Sequence, residues 1–539
     1  MKKLNLGCGF DHRKGYINID AVKAVNPDLI HDIHKSLPFK DSVISEIIAQ
    51  DILEHFTKED VQNVIGDISR VLKINGTLEV RVPNIDDIIS RFENDKETRN
   101  EFLYGTTLKT GIFGAHKVGF TKEYLVTIML NHNLVLEKIE EVDTNFHAIF
   151  KKKNIKPKKK LLLINQTLGT GGAEVFLVDL LVGLKKHKWD INVYSNNDIF
   201  IRMLERNKIS AKKVFTVVDV IGDWKGLLKG IFLWPFLTFE YLKIFSEHKD
   251  ASVFLASGFI EKIIASSIAK LFNIPSCWIE FGPMETIINK FLKLPKLLYF
   301  LVKDIPNKII VPTFNTRNHL IPETRINLSK IEVISCGRKI NTSKAKINSE
   351  KNTIVCVSRL EKGKGQDLLI KAFRKVLKEI PIAKLKIIGE GDFKFELEKL
   401  INKYKLENSV ELLGRVKDSI QEIKKAEIVV FPSVWSLEGF GLVMIEAMSL
   451  SKACIAFNTG PSPEIIQDNA TGLLAKNKDV NDLAKKIVLL LKSEKTRNRM
   501  GKQAKKIFNQ KYQISSVAQK YDHSLIETIN IQKAKKLVE

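Results

Sequence analysis

The chain has 539 residues, of which 44% are hydrophobic and 27% charged, an ordinary globular composition that excludes disorder over most of its length. Because a domain usually contains roughly 100–200 residues, we expect about three domains. Lys and Arg outnumber Asp and Glu by 86 to 62, and the formal net charge of +24 attracts polyanions. This excess fits a lysine-rich solvated surface, or contact with an anionic membrane or a lipid-phosphate acceptor. Nucleic-acid binding is not expected, because no basic stretch is interleaved with aromatic residues.

The cysteines and the apolar segments bear on the compartment. The five cysteines lie far apart, without a CxxC pair or metal-ligand spacing, which predicts buried thiols in a reducing cytoplasm. The N-terminus lacks the apolar core of a signal peptide, and no run of about 20 apolar residues predicts a spanning helix. The most apolar stretch, residues 226–245, contains Lys229, Pro235 and Glu240. It predicts either a core-facing helix or an interfacial helix, the latter at the inner face of the plasma membrane.

The first 150 residues predict a compact α/β module with strands near residues 4–6, 16–19, 46–49 and 77–82. The first strand runs into Gly7-Cys8-Gly9, a turn that lets the backbone approach a bound nucleoside. Asp20 ends the second strand, where a carboxylate is expected to hold a ribose diol. On these residues alone, NAD is a rival ligand.

The order of the motifs that follow resembles class I S-adenosylmethionine-dependent methyltransferases in a compact form. The motifs are His31-Asp32-Ile33, Ile52-Leu53-Glu54-His55-Phe56, Arg70 to Gly76, Glu79 to Asn84, and His116 with Gly119-Phe120-Thr121. The resemblance implies S-adenosylmethionine as cofactor. Gly7 and Gly9 would line its methionine and ribose part, Asp20 would hold the ribose hydroxyls, and Asp32 would flank the adenine.

This module departs from the family pattern in one respect. Only six residues, 10–15, separate Gly9 from the next strand, which leaves no room for the usual first helix. No general base can be assigned; His55 and His116 are candidates, with a structural role as the alternative for each. A non-catalytic scaffold or docking module is the alternative for the module as a whole.

A basic, proline-containing stretch at residues 151–160 predicts a solvated linker. Beyond it, short apolar strands alternate with helical patterns, and a second series restarts at residues 353–357, which predicts two more modules with parallel sheets. We therefore expect three Rossmann-like modules in series. The expected bounds are 1–150, then the linker, then 161–340, 341–515, and a C-terminal helix over 516–539 that packs back on the 161–340 module.

The third module offers the groups that sugar transfer from a nucleotide donor requires. Arg359 and Lys364 follow a strand, at the sheet edge where ligands of open α/β sheets bind, and cations there stabilise a departing diphosphate. Glu438 and Glu446 flank a Gly-x-Gly turn, Gly439-Phe440-Gly441, at a predicted helix start. A loop carboxylate can accept hydrogen bonds from sugar hydroxyls, and one on the helix can reach a ribose.

Residues from about 160 to 530 resemble the retaining GT-B glycosyltransferases of family 4. Elements in family order carry the resemblance: Gly171-Gly172-Ala173-Glu174, Ser358 to Gly365, Ile387 to Gly391, Leu413-Gly414-Arg415, Glu438 with Glu446, and Gly460 to Ile466. The resemblance implies an acceptor domain (161–340) and a nucleotide-sugar donor domain (341–515).

The same resemblance implies the roles of the site residues. Arg359, Lys364 and Glu438 would be catalytic, with the diphosphate held by the two cations and no obligatory metal. Donor contacts would come from Gly171, Gly172, Arg359, Lys364, Glu438, Gly439, Phe440 and Gly441, with Glu446 on the ribose. Glu280 stands where a histidine is common, and the segment 335–340 is altered, so the acceptor side is less defined.

These expectations combine into one function. The chain is expected to transfer a sugar with retention from a nucleotide sugar to a glycan or lipid-linked glycan acceptor of cell-surface polysaccharide or lipopolysaccharide synthesis. A fused methyltransferase activity is expected as well. The alternative is a glycosyltransferase alone, with a non-catalytic N-terminal module.

Overall fold

The computed structural model describes residues 2–104, 115–155, 157–167, 169, 171–215, 224–282, 284–285, 289, 291–340 and 350–539. The chain forms two compact units. Unit 1 comprises Met1–Lys158 together with Ile526–Glu539, and unit 2 comprises Lys159–Leu525.

Unit 1 contains a seven-stranded sheet. Its strands are β1 (Lys2–Leu6), β2 (Ile17–Asp20), β3 (Leu29–Ile30), β4 (Ile44–Gln50), β5 (Leu72–Pro83), β6 (Leu134–Val142) and β7 (Asn145–Lys152). Their order is β3-β2-β1-β4-β5-β7-β6, parallel through β5 and antiparallel at β7. The chain leaves β1 toward one edge and returns at β4 on its other side, which creates a topological switch point between β1 and β4.

Strands β6 and β7 were not expected from the sequence. β6 is an edge strand with the sequence LVLEKIEEV, and most of its residues are only partly buried or exposed. Because a solvated edge strand needs few apolar residues, its sequence carries little alternation for a pattern to detect.

The helices of unit 1 are α1 (Lys58–Val71), α2 (Ile85–Arg91), α3 (Lys96–Tyr104) and α4 (Lys122–Asn131). Helix α1 begins after Thr57, whose side chain accepts a hydrogen bond from the Asp60 backbone N–H. Its buried positions Val61, Val64 and Ile65 recur at spacings of three and four, so one face packs on the sheet.

The first sheet of unit 2 has seven parallel strands. They are β8 (Lys160–Asn165), β9 (Asp190–Ser195), β10 (Ser210–Lys213), β11 (Val253–Ala256), β12 (Ser276–Ile279), β13 (Lys308–Val311) and β14 (Ile331–Val333), in the order β10-β9-β8-β11-β12-β13-β14. The described helices around it are α5 (Gly172–Lys186), α6 (Asp198–Arg206), α7 (Trp224–Glu247), α8 (Ser266–Leu271), α9 (Leu294–Val302) and α10 (Phe314–Thr324). Every residue of β11 and β12 is buried, as expected for a sheet covered on both faces.

The second sheet of unit 2 has six parallel strands. They are β15 (Thr353–Val357), β16 (Lys384–Ile388), β17 (Val410–Gly414), β18 (Ile428–Phe431), β19 (Ala453–Phe457) and β20 (Gly472–Ala475), in the order β17-β16-β15-β18-β19-β20. Its helices are α11 (Gln366–Glu379), α12 (Lys394–Lys403), α13 (Ser419–Lys425), α14 (Leu442–Ser449), α15 (Ser462–Ile465), α16 (Val480–Lys492) and α17 (Glu494–Ile507). The predicted α/β architecture with parallel sheets is therefore confirmed.

The last helix, α18 (Ile514–Val538), is divided between the two units. Within unit 2, Tyr521 contacts Phe176 and the Asp522 carboxylate accepts from Lys159 Nζ at 2.7 Å. Residues Ile526–Glu539 belong to unit 1 instead, where Ala534 is part of the core. The basic stretch is also shorter than expected, because β7 runs through Lys152 and β8 begins at Lys160.

The cysteines lie within the described residues. All five are buried and free, as expected for thiols of a core.

Candidate active site

Unit 2 contains a cleft of ≈ 850 Å³ between its two sheets, lined by loops that follow strands. Because the carboxyl ends of parallel strands meet at one edge of a sheet, residues distant in sequence converge there. The predicted donor residues that line it are Gly171, Gly172, Arg359, Lys364, Glu438, Gly439, Phe440 and Gly441.

Lys364 and Glu438 form the charged centre of this cleft. Lys364 Nζ lies 2.6 Å from Glu438 Oε2, and both side chains are largely buried. The hydroxyl of Ser433 donates to the same oxygen at 3.1 Å, and Lys364 Nζ lies 5.1 Å from the centroid of the Trp435 ring. A cation and a carboxylate are thus held side by side, each as the partner of the other.

Arg359 supplies a second cation with more freedom. Its side chain is 67% exposed and pairs with Glu361 at 2.7 Å. The loop that carries it is fixed, since Gln366 Nε2 donates to Ser358 Oγ and to the Arg359 carbonyl. The guanidinium can therefore move toward a ligand while its backbone stays in place.

Two helices begin at the cleft. The Gly171 N–H donates to Glu174 Oε2 at 2.7 Å at the start of α5, and α14 starts after Gly441. Free backbone N–H groups at such helix starts favour anions. Gly439 is required for close approach, because a Cβ there would lie 1.8 Å from the Phe281 carbonyl oxygen.

The two modules of unit 2 are also joined by Glu464. Its carboxylate oxygens accept from the Phe314 and Asn315 backbone N–H groups, at 2.8 and 2.6 Å, at the start of α10. A carboxylate at a helix N-terminus is stabilised by the unpaired N–H groups there. Glu464 therefore caps a helix of the opposite module.

Glu446 is buried on α14 and is not among the described residues that line the cleft. Its Oε1 accepts from Arg338 Nε at 2.9 Å, and Arg338 also pairs with Asp179 of α5. Burial raises the pKa of Glu446, an effect that Arg338 opposes. Arg338 belongs to the altered segment 335–340, so this departure supplies Glu446 with a partner from the protein itself.

Glu280 is a core residue, which explains the departure at this position. Its Oε2 pairs with Lys262 Nζ at 2.8 Å, and its Oε1 accepts from the Tyr299 hydroxyl at 2.7 Å. The next residue, Phe281, lines the cleft instead. Strand geometry turns successive side chains to opposite faces, so the position aligned with the histidine points away from the cleft.

Glu261 lines the cleft and was missed by the sequence reading. It begins a π-helix, Glu261–Ala265, that follows β11, and its Oε1 accepts from the Gln166 backbone N–H at 3.0 Å. Burial raises the pKa of Glu261 to about 7. The sequence signal that could have identified Glu261 is its position five residues after the fully buried strand β11.

In unit 1, the structure brings Gly7, Gly9 and Asp20 together at the ends of β1 and β2. Gly7 has a φ of +59°, and a Cβ there would lie 2.6 Å from Ile52 Cδ1, so only glycine fits. Asp20 Oδ2 accepts from the Gly9 N–H at 2.9 Å. Asp32 follows β3, where it accepts hydrogen bonds from His34, and the His34 backbone N–H lowers its pKa.

His55 and His116 also converge in unit 1, with ring centroids 5.2 Å apart. Glu54, which the sequence reading did not single out, lies beside them. These three residues share one location outside the Gly7–Asp20 turn.

Comparison with known proteins shows that unit 2 is similar in fold to glycosyltransferases. Residues 337–507 match the family model described as "Glycosyl transferases group 1". The Anabaena protein HepE in complex with UDP-glucose superposes with a TM-score of 0.58 at 20% identity, covering 68% of this chain and 99% of that one. A glycosyltransferase from Rickettsia africae gives a TM-score of 0.56 at 18% identity, covering 69% and 99%. The chain therefore contains the GT-B fold of group 1 glycosyltransferases.

Three curated relatives carry the sequence likeness. An uncharacterised glycosyltransferase of Methanocaldococcus jannaschii is 30% identical over 43% of this chain and 63% of its own length. The poly(ribitol-phosphate) alpha-N-acetylglucosaminyltransferase of Staphylococcus aureus is 32% identical over 40% of this chain and 43% of its own length. A Campylobacter jejuni N-acetylgalactosaminyltransferase that acts on a diphospho-undecaprenol-linked sugar is 27% identical over 64% of this chain and 94% of its own length. The chain thus spans less than two thirds of the first two relatives.

The raised pKa of Glu261 predicts a pH-dependent stability of unit 2. The folded state keeps the proton up to about pH 7, whereas the unfolded carboxyl releases it near 4.5. The protonated Glu261 therefore contributes its full stabilisation to the folded state below pH 4.5, and this stabilisation is lost as the pH rises through 7. The free energy of unfolding falls by roughly 3 kcal/mol over this range. We expect Glu261→Gln to reduce the fall in urea midpoint between pH 5 and pH 8.

Tryptophan fluorescence measures this change selectively, because all five Trp residues lie between residues 159 and 525. The matched control is Glu398→Gln, on the surface of α12, which should keep the wild-type pH dependence. An unchanged pH dependence in Glu261→Gln would contradict the assignment.

Proposed function

We propose that unit 2 transfers a sugar, with retention, from a nucleoside-diphosphate sugar to a hydroxyl of a glycan or lipid-linked glycan acceptor at the cell surface. The observation that carries the proposal is the Lys364–Glu438 pair, 2.6 Å apart in a cleft lined by strand-end loops of both sheets. The relatives' names support the acceptor class, since they describe transfer to poly(ribitol-phosphate) and to a polyprenyl-diphosphate-linked sugar.

In this proposal the cations of the cleft contact the diphosphate of the donor, and the carboxylate of Glu438 contacts its sugar. A departing diphosphate gains negative charge, and in this proposal Lys364 and Arg359 neutralise it together with the N-terminus of α14. Glu438, held by Ser433, accepts hydrogen bonds from the hydroxyls of the donor sugar. Gly171 and Gly172 place the backbone at the start of α5 beside the phosphates. Glu446 contacts the ribose once it shares its carboxylate between the ribose hydroxyls and Arg338.

Removal of either cation tests the diphosphate role. We expect Arg359→Ala and Lys364→Ala to lower kcat/KM by about 10²–10³-fold, because each removes charge stabilisation that is needed as the leaving group departs. Release of nucleoside diphosphate, measured first with UDP-glucose and UDP-N-acetylglucosamine, reports turnover.

Lys362→Ala is the matched control, since Lys362 is an exposed lysine of the same loop, and it should retain wild-type turnover. Because Arg359 is exposed, Arg359→Ala is expected to fold and tests the role even if loss of Lys364 destabilises the cleft. Wild-type turnover of both Arg359→Ala and Lys364→Ala would refute the role.

We also propose that unit 1 binds S-adenosylmethionine and acts as a methyltransferase on the same glycan pathway. Support comes from the switch point between β1 and β4, where ligands of open α/β sheets bind. Asp20 lies at this edge, bonded to the Gly9 N–H of the glycine turn, so its carboxylate can receive a ribose diol beside an open backbone. The rival proposal is a glycosyltransferase alone, with unit 1 as a docking module.

Calorimetric titration of the full chain with S-adenosylmethionine distinguishes the methyltransferase proposal from the docking-module alternative. We expect saturable binding, weakened at least about 10-fold in Asp20→Asn, because a charged hydrogen-bond acceptor contributes roughly 1.5–3 kcal/mol. Asp11→Asn, an exposed position of the same turn, should bind as wild type. Absence of heat with the wild-type chain would support the docking-module alternative.

We propose further that α7 lies on an anionic membrane surface. Within the described residues, no helix has both the length and the apolar content needed to span a bilayer. The outer face of α7 nevertheless exposes a stripe with the spacing of a helix face: Leu228, Phe232, Phe236, Phe239 and Leu242. Exposed Lys229 and Lys243 accompany it, so apolar insertion and attraction to acidic lipids act together.

Sedimentation with phosphatidylglycerol-containing vesicles tests this surface. We expect the double variant Phe232→Ser/Phe239→Ser to lose most of the bound fraction, and high salt to weaken wild-type binding. Phe395→Ser removes a similarly exposed phenylalanine from α12 and should bind as wild type. Equal sedimentation of all three proteins would exclude α7 as the contact.

A further inference from the structure

Glu54, His55 and His116 of unit 1 meet at one point. Glu54 and His55 lie on a short 3₁₀ helix, Leu53–His55, that follows β4, and His116 lies on a returning segment. The backbones are tied together, because the Lys117 and Val118 N–H groups both donate to the Glu54 carbonyl, at 2.7 and 3.2 Å. One ligand atom from each of the three side chains lies within 4.8 Å of the other two.

Hydrogen bonds leave the second nitrogen of each histidine available. His55 Nδ1 lies 3.2 Å from the Ala115 carbonyl oxygen, and His116 Nδ1 lies 3.0 Å from the Phe102 carbonyl oxygen. A carbonyl only accepts, so each Nδ1 carries the proton and each Nε2 of the neutral ring carries a lone pair. This backbone–histidine arrangement is the one that orients imidazoles for metal coordination.

A second observation, independent of the histidine hydrogen bonds, is that a carboxylate oxygen of Glu54 is buried without a hydrogen-bond partner. The residue is 2% exposed, and its Oε2 has no hydrogen-bond partner among the described residues. A buried polar atom without a partner is costly, and a cation beside two neutral imidazoles would supply the partner.

We propose that Glu54, His55 and His116 bind one divalent transition-metal ion, through the carboxylate of Glu54 and the Nε2 atoms of both histidines. Two imidazoles and one carboxylate suit Zn²⁺ or Fe²⁺, and three protein ligands leave a position open for water or a substrate oxygen. The site is close to the β1–β4 switch point, because Ile52, two residues before Glu54, packs against Gly7. The ion would thus stand beside the strand ends of unit 1 at which S-adenosylmethionine is proposed to bind.

Metal titration of the full chain tests the site without any assumption about activity. After treatment with a chelator, the protein is titrated with Zn²⁺, and with Fe²⁺ under anaerobic conditions. We expect one equivalent to bind, and Glu54→Gln and His116→Ala each to weaken affinity more than about 100-fold, beyond the loss typical of supporting residues. His12→Ala, an exposed histidine of the same unit, should bind as wild type.

The thermal transition of each apo protein checks its folding. Glu54→Gln preserves the side-chain shape, so it tests the site even if His116→Ala unfolds. Binding at one equivalent that both ligand variants lose supports the proposal. No stoichiometric binding of either ion, or equal binding by Glu54→Gln and wild type, would overturn it.

Discussion

Parallel strands impose the constraint from which both candidate sites follow. Every loop after a parallel strand emerges at the same edge of its sheet, and helix N-termini follow at that edge. In unit 1 this brings Gly7, Asp20 and Glu54 to the ends of β1, β2 and β4. In unit 2 it brings Glu261 from one sheet and Lys364 from the other into one cleft. Ligand chemistry is thereby concentrated at strand ends, while the strands themselves remain apolar and buried.

Three ion pairs hold the buried and partly buried charges in and around the cleft of unit 2. Lys364 pairs with Glu438, Lys262 with Glu280, and Arg338 with Glu446. An unpaired buried charge is expensive, and each of these charged groups has an opposite charge as its partner. The pairs differ in accessibility: Lys262 and Glu280 are both at most 2% exposed, whereas the first pair lines the cleft. A ligand can therefore exchange partners with Lys364 and Glu438 but cannot reach the core pair.

The sequence predicted most of the parallel strands because they are short apolar runs, and it predicted the strand-end residues because their motifs are local. It did not predict the parallel strands β3, β10 and β20, which are edge strands of their sheets. It did not predict β6, whose exposed edge needs little apolar pattern, nor β7, which lies between β5 and β6 and alternates buried with partly buried residues. It did not predict the partner of Glu446, Arg338, which is 108 residues away in the chain. Glu280 was uncertain for the same reason, since the direction of its side chain depends on Lys262 and Tyr299. Local motifs thus locate an edge, and long-range contacts decide which side chains face it.

The two buried glutamates Glu261 and Glu54 differ in whether the protein supplies hydrogen-bond partners for their carboxyl groups. Glu261 and Glu54 each have a pKa raised to about 7 by burial. Glu261 Oε1, however, receives hydrogen bonds from the Gln166 backbone N–H and the Tyr241 hydroxyl, so its environment already serves a carboxyl group. Glu54 Oε2 has no hydrogen-bond partner among the described residues, and one ring nitrogen each of His55 and His116 lies within 4.8 Å of a Glu54 carboxylate oxygen. With both Nδ1 atoms turned to backbone carbonyls, each ring presents the lone pair of its Nε2. A protonated carboxyl could serve only one of those lone pairs, whereas a single divalent cation satisfies all three acceptors at once, which is why the ion is the more complete solution for that site.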